Sequence, residues 1–391
     1  MSLKKCLRQQ DVYMKKLLFN LRTIQPTIDA KHHGVGTYGE AILREMIIRQ
    51  KPIECYYDAR RWINPDIKSL LDDFRIPLFD ISKTSLDTII GEGEYNCLYS
   101  PSSSLEERKI SNLRVVTVQH DLRQFELPHN KLFWKYKNIG LKRKLKYLIG
   151  NYWKRIGYVK QGDIANHLKN NPNLSFYTVS YHSQSMLYNF FPELRKKEIP
   201  VFYCPPAIPL DIDEVIYKEK FFLMLSGNRY EKNIISGIMA LDSLFSEGLL
   251  ADYHVKITGV KNSSIFSYKI KNIDKFDFLD FVDNTTLNHL FHDAYCLIFP
   301  SFHEGFGFPA IESMRYSVPV LASAISSIPE ICGDGAMYFS PFSIDEIRSR
   351  ILLITNPKIH SFFSDKAAKR YVEISKKQKE DLDNLMLFLF A

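Results

Sequence analysis

The stretch AYCLIFPSFHEGFGFPAIESM, residues 294–314, decides the fold. AYCLIFPS (294–301) is an apolar run of strand length, so it reads as a buried strand. FHEGFG is then the loop at its carboxyl end. Pro309 suits the first turn of the following helix, because its missing N–H costs nothing there. The helix runs on through AIESMRY. Gly305 and Gly307 leave backbone uncovered just before the helix start, where free N–H groups and the positive helix end suit a phosphate. Glu304 lies on the loop, and Glu312 lies one turn into the helix. A carboxylate at the second place can accept two hydrogen bonds from a vicinal diol such as a ribose. The spacing fits a ligand with a hydroxylated ring at each end and phosphate between, which describes a nucleotide-sugar.

Working outward, strands and helices alternate. LLFNLRTI (17–24) reads as a first buried strand, Gly34 and Gly36 as a flexible turn, and YGEAILREMIIR as a helix with apolar spacing at Ile42, Met46 and Ile47. RVVTVQHD (114–121) is a strand ending in His120-Asp121. NLSFYTVS (173–180) is another, followed by the helical SQSMLYNFF. YCPPAIPLDIDE (203–214) carries three prolines and neither period, so it reads as a linker. A second series follows: strands at 220–227, 252–259, 294–301, 319–323 and 336–340, a helix from about Asn233, and a long charged-faced helix at the tail. This is the pattern of an α/β chain with two doubly wound, Rossmann-like domains facing across a cleft. The expected division is 1–206, a linker at 207–214, and 215–391, with the final helix reaching back to the first domain.

The bulk composition suits that size. The chain has 391 residues, 45% hydrophobic and 25% charged, enough for two globular domains. No window holds the ~18 apolar residues of a membrane span. LLFNL is too short for a signal-peptide core, and the status of residues 1–13 is left open. The six cysteines are scattered with no C-x-x-C pair, which reads as reduced cytosolic thiols and no structural zinc site.

The net charge of +8 is concentrated in one place. Residues 131–160, KLFWKYKNIGLKRKLKYLIGNYWKRIGYVK, hold ten Lys/Arg and no acid, with seven interleaved aromatics. Three readings are open: a solvated face, a nucleic-acid surface, or contact with an anionic membrane. On composition alone the three stay open.

His303 to Met314 resembles the Glu-x7-Glu signature of the retaining GT-B glycosyltransferases of family 4. LSGNRYEKN (225–233) resembles the strand and loop that supply Arg and Lys to the diphosphate. VVTVQHDL (115–122), HHGVGTYGEAI and YTVSYHSQSML (177–187) resemble further family segments, in the family's order over most of the chain.

The resemblance implies roles residue by residue. Glu304 would contact the donor sugar, and His120 would touch it near the reacting carbon. Gly305, Phe306, Gly307 and Phe308 would give backbone N–H groups to the sugar or phosphate. Glu312 would bind the ribose, Arg229 and Lys232 the diphosphate, and Val282 the base edge. Gly34 and Gly36 would let the first loop approach the phosphate. In the family the Arg and Lys are nearly adjacent; here they are three apart, which puts Arg229 in doubt.

The implied activity is transfer of a hexose from a GDP- or UDP-linked donor to a lipid-linked or polysaccharide acceptor of cell-surface glycan synthesis. The mechanism is retaining, with no required cofactor or metal. The family's lipid-linked acceptors, with residues 131–160 on the acceptor side, imply peripheral contact with an anionic membrane rather than nucleic acid, in a cytoplasmic protein at the inner face of the membrane. HEGFGFPAIE and VTVQHDL resemble segments of bacterial mannosyltransferases of surface polysaccharide, which implies mannose, with glucose, galactose, rhamnose and an acetamido sugar left open.

Blander readings stand beside these. Glu304 and Glu312 could be surface acids, and His120 a plain strand-end histidine. His32 and His33 read as ordinary polar residues, His289 and His292 as one helix face, and the DID at 211–213 as linker acids rather than metal ligands. The alternatives of another kind are a non-catalytic membrane- or nucleic-acid-binding protein with a relic cleft, and an NDP-sugar epimerase on the same fold.

Overall fold

The computed structural model describes residues 16–25, 34–102, 107–127, 131–137, 140–141, 144–145, 171–206 and 220–391. His32, His33, the linker 207–214 with its DID, residues 1–13 and most of the basic stretch beyond 137 lie outside the described residues.

Two six-stranded sheets carry the fold. The first contains β1 (Lys16–Asn20), β2 (Ile53–Tyr57), β3 (Leu78–Asp80), β4 (Tyr95–Ser100), β5 (Arg114–Gln119) and β6 (Leu174–Thr178), in the order β3-β2-β1-β4-β5-β6. The second contains β7 (Phe221–Met224), β8 (His254–Thr258), β9 (Phe276–Leu279), β10 (Cys296–Phe299), β11 (Val320–Ser323) and β12 (Ala336–Phe339), in the order β12-β11-β10-β7-β8-β9. Every pairing between named strands is parallel. Counted within its own half, each sheet has the order 3-2-1-4-5-6, the doubly wound topology expected from the alternation. Helices cover both faces of such sheets, so β7, β10 and β11 are buried along their whole length and read as plain apolar runs.

The order reverses between β1 and β4 in the first sheet and between β7 and β10 in the second. Ligands of open parallel sheets bind at such reversals, beyond the carboxyl ends of the strands. Helix α1 (Gly34–Ile48) starts beyond β1. Here the structure corrects the sequence reading: Gly34 and Gly36 are not a loop but the first turn of this helix, and Gly36 is buried. Apolar Tyr38, Ile42, Leu43 and Met46 pull the helix onto the sheet from its first turn. The glycine that packing demands is Gly39, where a Cβ would stand 2.3 Å from Ile24 Cγ2; at Gly34 it would meet nothing within 4 Å.

Further helices among the described residues are α2 (Pro65–Asp73), α3 (Leu86–Glu92), α4 (Arg123–Glu126), α5 (Tyr181–Phe190), α6 (Ile234–Ser246), α7 (Asn284–Asp293), α8 (Phe308–Arg315), α9 (Ile328–Cys332), α10 (Ile344–Ile354) and α11 (Pro357–Phe390). The long α11 joins the two halves. Arg370, on its N-terminal part, donates to the carbonyls of Glu330 and Ile331 in the second domain. Further along, Gln378 donates to Cys204 O, and Asp381 accepts from Tyr203 N, both just before the linker. At the end, Arg114 of β5 donates to Phe388 O, and Leu382, Leu385, Met386 and Leu389 enter a core shared with Leu17 and Phe19 of β1.

The start of the basic stretch also crosses between domains. Phe133 and Tyr136 are buried in the core of the second domain, where Phe133 meets the Tyr230 ring edge-on at 5.0 Å. Tyr136 Oη accepts from Ile235 N, and Lys137 N donates to Ile265 O. These two aromatics therefore belong to none of the three surface readings. Trp134, Leu141 and Leu145 are exposed. Among the described residues, no helix is long and apolar enough to cross a membrane.

Candidate active site

Most helices of eight residues or more begin with a side chain that caps their free N–H groups: Asn64, Ser180, Asp283, Ser343 and Asn356 cap α2, α5, α7, α10 and α11. Two helices of that length, α6 and α8, have a described N-cap residue whose side chain makes no capping hydrogen bond. They follow β7 and β10, the two strands at the reversal of the second sheet. Gly307 caps α8 at φ +114°, a conformation only glycine adopts readily, and it has no side chain to offer. Asn233 caps α6 in the left-handed region, with its amide turned away to the carbonyls of Pro300 and Pro341 at 3.0 Å. Two positive helix ends thus open at one place.

The loop between β10 and α8 is held from several sides. Phe302 N donates to Glu231 O, and Glu304 N donates to Ser326 Oγ. Ser327 Oγ donates to the carbonyls of Glu304 and Phe306. From the first domain, Ser180 Oγ donates to Gly305 O at 2.9 Å. A Cβ on Gly305 would stand 2.4 Å from the His120 carbonyl oxygen, so this glycine is fixed by the approach of the two domains. Phe306 is buried, its ring 5.5 Å from Tyr203 and 5.3 Å from Phe308.

The charged residues fall into two groups. Lys232, at the end of a short 3-10 turn after β7, donates to Glu304 Oε1 at 2.7 Å. The pair is about nine-tenths buried, with side chains 10% and 12% exposed. Arg229 does not join it. Its guanidinium lies on Glu231 at 2.8 and 3.0 Å, so the two cations of RYEK have different partners. Glu231 also accepts from Arg123 Nη1 of the first domain at 2.8 Å, making an ion pair across the cleft. Burial would raise the Glu231 carboxyl, but the charges of Arg229 and Arg123 overcome it and hold it down at about 2.

Glu312 is the opposite case. It is nearly buried, and its closest ion-pair partner, Arg315 Nη1, is 3.9 Å away. Desolvation pushes its carboxyl up to about 7 against the weaker pull of Arg315. A nearly buried carboxylate so weakly compensated is poised to accept hydrogen bonds from a ligand.

His120 Nε2 lies 2.8 Å from Pro101 O, and its ring packs edge-on against Tyr38 at 4.8 Å. A carbonyl only accepts, so Nε2 carries the proton of the neutral ring. Val282 lies half-buried between β9 and α7, beyond the carboxyl end of β9.

The structure thus joins Lys232, Glu304 and Gly305 to the His120 strand end, and it sets Arg229 apart on Glu231. Sequence reasoning passed over Arg123, Glu231 and the serines 180, 326 and 327. Arg123 lay two residues beyond the marked His120-Asp121. The serines carried no signal, because their role is to pin a loop contributed by distant residues. No metal ligand was expected either, yet among the described residues Glu126, His182 and His303 form one group of ion-ligating types.

Known proteins agree with this architecture. Residues 212–378 match the model of the family described as glycosyl transferases group 1. O-antigen chain mannosyltransferase B of Escherichia coli is 39% identical over 75 residues, 19% of this chain and 20% of that protein. O-antigen chain mannosyltransferase RfbU of Salmonella typhimurium is 32% identical over 131 residues, 32% of this chain and 35% of that protein. The matched segments therefore span about a fifth and a third of these relatives' lengths. The solved structure of sucrose-phosphate synthase from Thermosynechococcus elongatus superposes with a TM-score of 0.65 at 13% identity, over 96% of this chain and 98% of that one. The chain has the GT-B fold, and its residues 212–378 match the glycosyl transferases group 1 family.

Proposed function

We propose that this protein is a retaining glycosyltransferase that moves a hexose, mannose in the first instance, from an NDP-sugar to a lipid-linked or polysaccharide acceptor. One observation carries the reading: the buried Lys232–Glu304 pair sits on the two elements that follow β7 and β10, where the uncapped ends of α6 and α8 meet. Two open helix ends and a fixed cation suit a diphosphate, and the carboxylate beside them suits sugar hydroxyls. The names of the two bacterial relatives, both O-antigen chain mannosyltransferases, support mannose and a surface-glycan acceptor.

In this reading the diphosphate lies over the start of α8, on the N–H groups of residues 305–308. Glu312 accepts from the ribose diol, and Val282 meets the base edge. Lys232 offsets the charge that grows on the leaving phosphate oxygen, and Arg229 would join it only by leaving Glu231. The C1–O bond to the phosphate breaks while the acceptor oxygen bonds to C1 on the same face. The acceptor's proton passes to the departing phosphate oxygen. Protein cations do this work, so the reaction needs no metal at the diphosphate. The exposed Trp134, Leu141 and Leu145 beside the lysines support work at the inner membrane face.

The test is a thermal-shift panel of GDP, UDP, ADP and dTDP, each against its own magnesium or EDTA blank. A nucleotide at 100 times its dissociation constant stabilises by about 2.7 kcal/mol. One nucleotide should raise the melting temperature equally with and without magnesium, and so name the base. No shift from any of the four would overturn the donor cleft and return the basic stretch to the centre of the question.

A further inference from the structure

Behind the donor loop, three side chains from distant parts of the sequence converge on the seam between domains. Glu126 ends α4, and His182 lies in the first turn of α5, both in the first domain. His303 stands in the loop after β10, directly before Glu304. His182 Nε2 is 2.6 Å from Glu126 Oε2, and His303 Nε2 is 3.3 Å from Glu126 Oε1. One ligand atom from each of the three lies within 4.8 Å of the others.

The second observation is the state of His303. Its side chain is only 2% exposed, yet Nδ1 has no hydrogen-bond partner and Nε2 has only the long 3.3 Å contact with Glu126 Oε1, which is poorly aligned for a hydrogen bond. Glu126 Oε1 is itself buried with no better partner. Buried polar atoms are nearly always satisfied, and an unmade bond of this kind is costly. His303 Nε2 and Glu126 Oε1 face each other in this buried place, with His182 Nε2 held on the other carboxylate oxygen, so two imidazoles and a carboxylate present lone pairs to a common partner.

We propose that Glu126, His182 and His303 bind one zinc-class divalent cation that ties the two domains together behind the donor loop. The donor set decides the class. Imidazole with a carboxylate suits zinc and its transition-metal neighbours, whereas magnesium and calcium prefer all-oxygen shells. Two histidines and one glutamate are a known zinc-binding combination that leaves a fourth position for water. Ligand atoms of a tetrahedral zinc lie about 3.3 Å apart, so the widest pair has to close by at most about 1.5 Å. Side-chain rotation covers that distance. The cation is a clamp on the His303 backbone and takes no part in sugar transfer, so the proposal stands whether or not the donor reading holds.

The site is tested on the full chain, freed of metal with EDTA and then dialysed into metal-free buffer. Titration with zinc should show one ion per chain and raise the melting temperature. Cobalt should bind at the same place with the intense visible absorption of a tetrahedral centre, and magnesium should displace neither. His303→Ala and His182→Gln should each weaken zinc binding beyond the roughly 10–100-fold that losing a ligand's own hydrogen-bond partner costs. His303 is buried and its replacement could unfold the chain; His182, with a side chain 21% exposed, supplies the second variant. Failure to take up stoichiometric zinc would overturn the proposal. So would zinc uptake that His182→Gln leaves unchanged, since the ion would then sit elsewhere.

Discussion

The two carboxylates of the 303–314 stretch differ in one respect that separates their work. Glu304 lies at the loop end with Lys232 at 2.7 Å. Glu312 lies on the helix, nearly buried, with its nearest cation at 3.9 Å and its carboxyl pushed up to about 7 by desolvation. The first charge is compensated within the protein, whereas the second is left nearly uncompensated. Under the proposed function, the difference separates the part of the site already organised for a donor from the part that a donor would complete.

Breaking the compensated end should have the largest effect. Lys232→Ala removes a fixed cation and leaves Glu304 buried alone. Turnover of the NDP-sugar should fall by about 10²–10³-fold, and stability by about 3–5 kcal/mol, read from single-turnover rates and urea melts. Adding Glu304→Gln to Lys232→Ala should recover part of the stability and none of the rate. If the rate came back with the stability, the pair would be structural only.

The open end should respond in the opposite sense. Glu312→Gln removes a charge that the folded protein holds at a cost, so the ligand-free chain should melt higher than wild type. The same change should weaken the nucleoside diphosphate by about 1.5–3 kcal/mol, roughly ten- to a hundredfold, by calorimetry. Equal affinity in wild type and variant would remove the ribose role.

Gly305→Ala asks how far the Glu304 end depends on the neighbouring domain. Its Cβ would lie 2.4 Å from the His120 carbonyl, a backbone atom that cannot swing aside. A loss of about 1–3 kcal/mol is expected, together with slower turnover from a displaced Glu304.

The smallest effect is a pH dependence. The folded-state value of Glu312, about 7, lies above the ordinary 4.5, so the folded chain binds more protons than the unfolded chain between those limits. Its contribution to stability is therefore complete below about 4.5 and lost as the pH rises through about 7. Nucleotide affinity should run the other way, rising from pH 6 to pH 8 as the carboxylate ionises. Glu312→Gln should flatten both slopes, and a wild-type affinity independent of pH across that range would place the ribose elsewhere.

Much of this was legible in the chain. Strands buried on both faces must be apolar throughout, so FFLM and CLIF stood out. The edge strand Leu78–Asp80 did not, being short and only half-buried, and β9 with its alternating FDFL was missed for the same reason. Glycines and a proline before a helix are local geometry, and local geometry is written in adjacent residues. Even so, Gly34 and Gly36 misled: glycine permits a turn without requiring one, and the apolar face of α1 extended the helix over both.

The sequence by itself determined the alternation of strand and helix, the doubly wound class and the loop before α8, because each depends on residues within one turn or strand of one another. Only the tertiary structure decided which cation meets which carboxylate. Lys232 reaches Glu304 across 72 positions, Arg123 reaches Glu231 across 108, and Ser180 reaches Gly305 across 125. It also turned Phe133 and Tyr136 from surface candidates into core, and it brought Glu126, His182 and His303 to one point. Such partners are chosen by how two sheets and a shared final helix pack together, and that packing leaves no periodicity in the chain that could announce it.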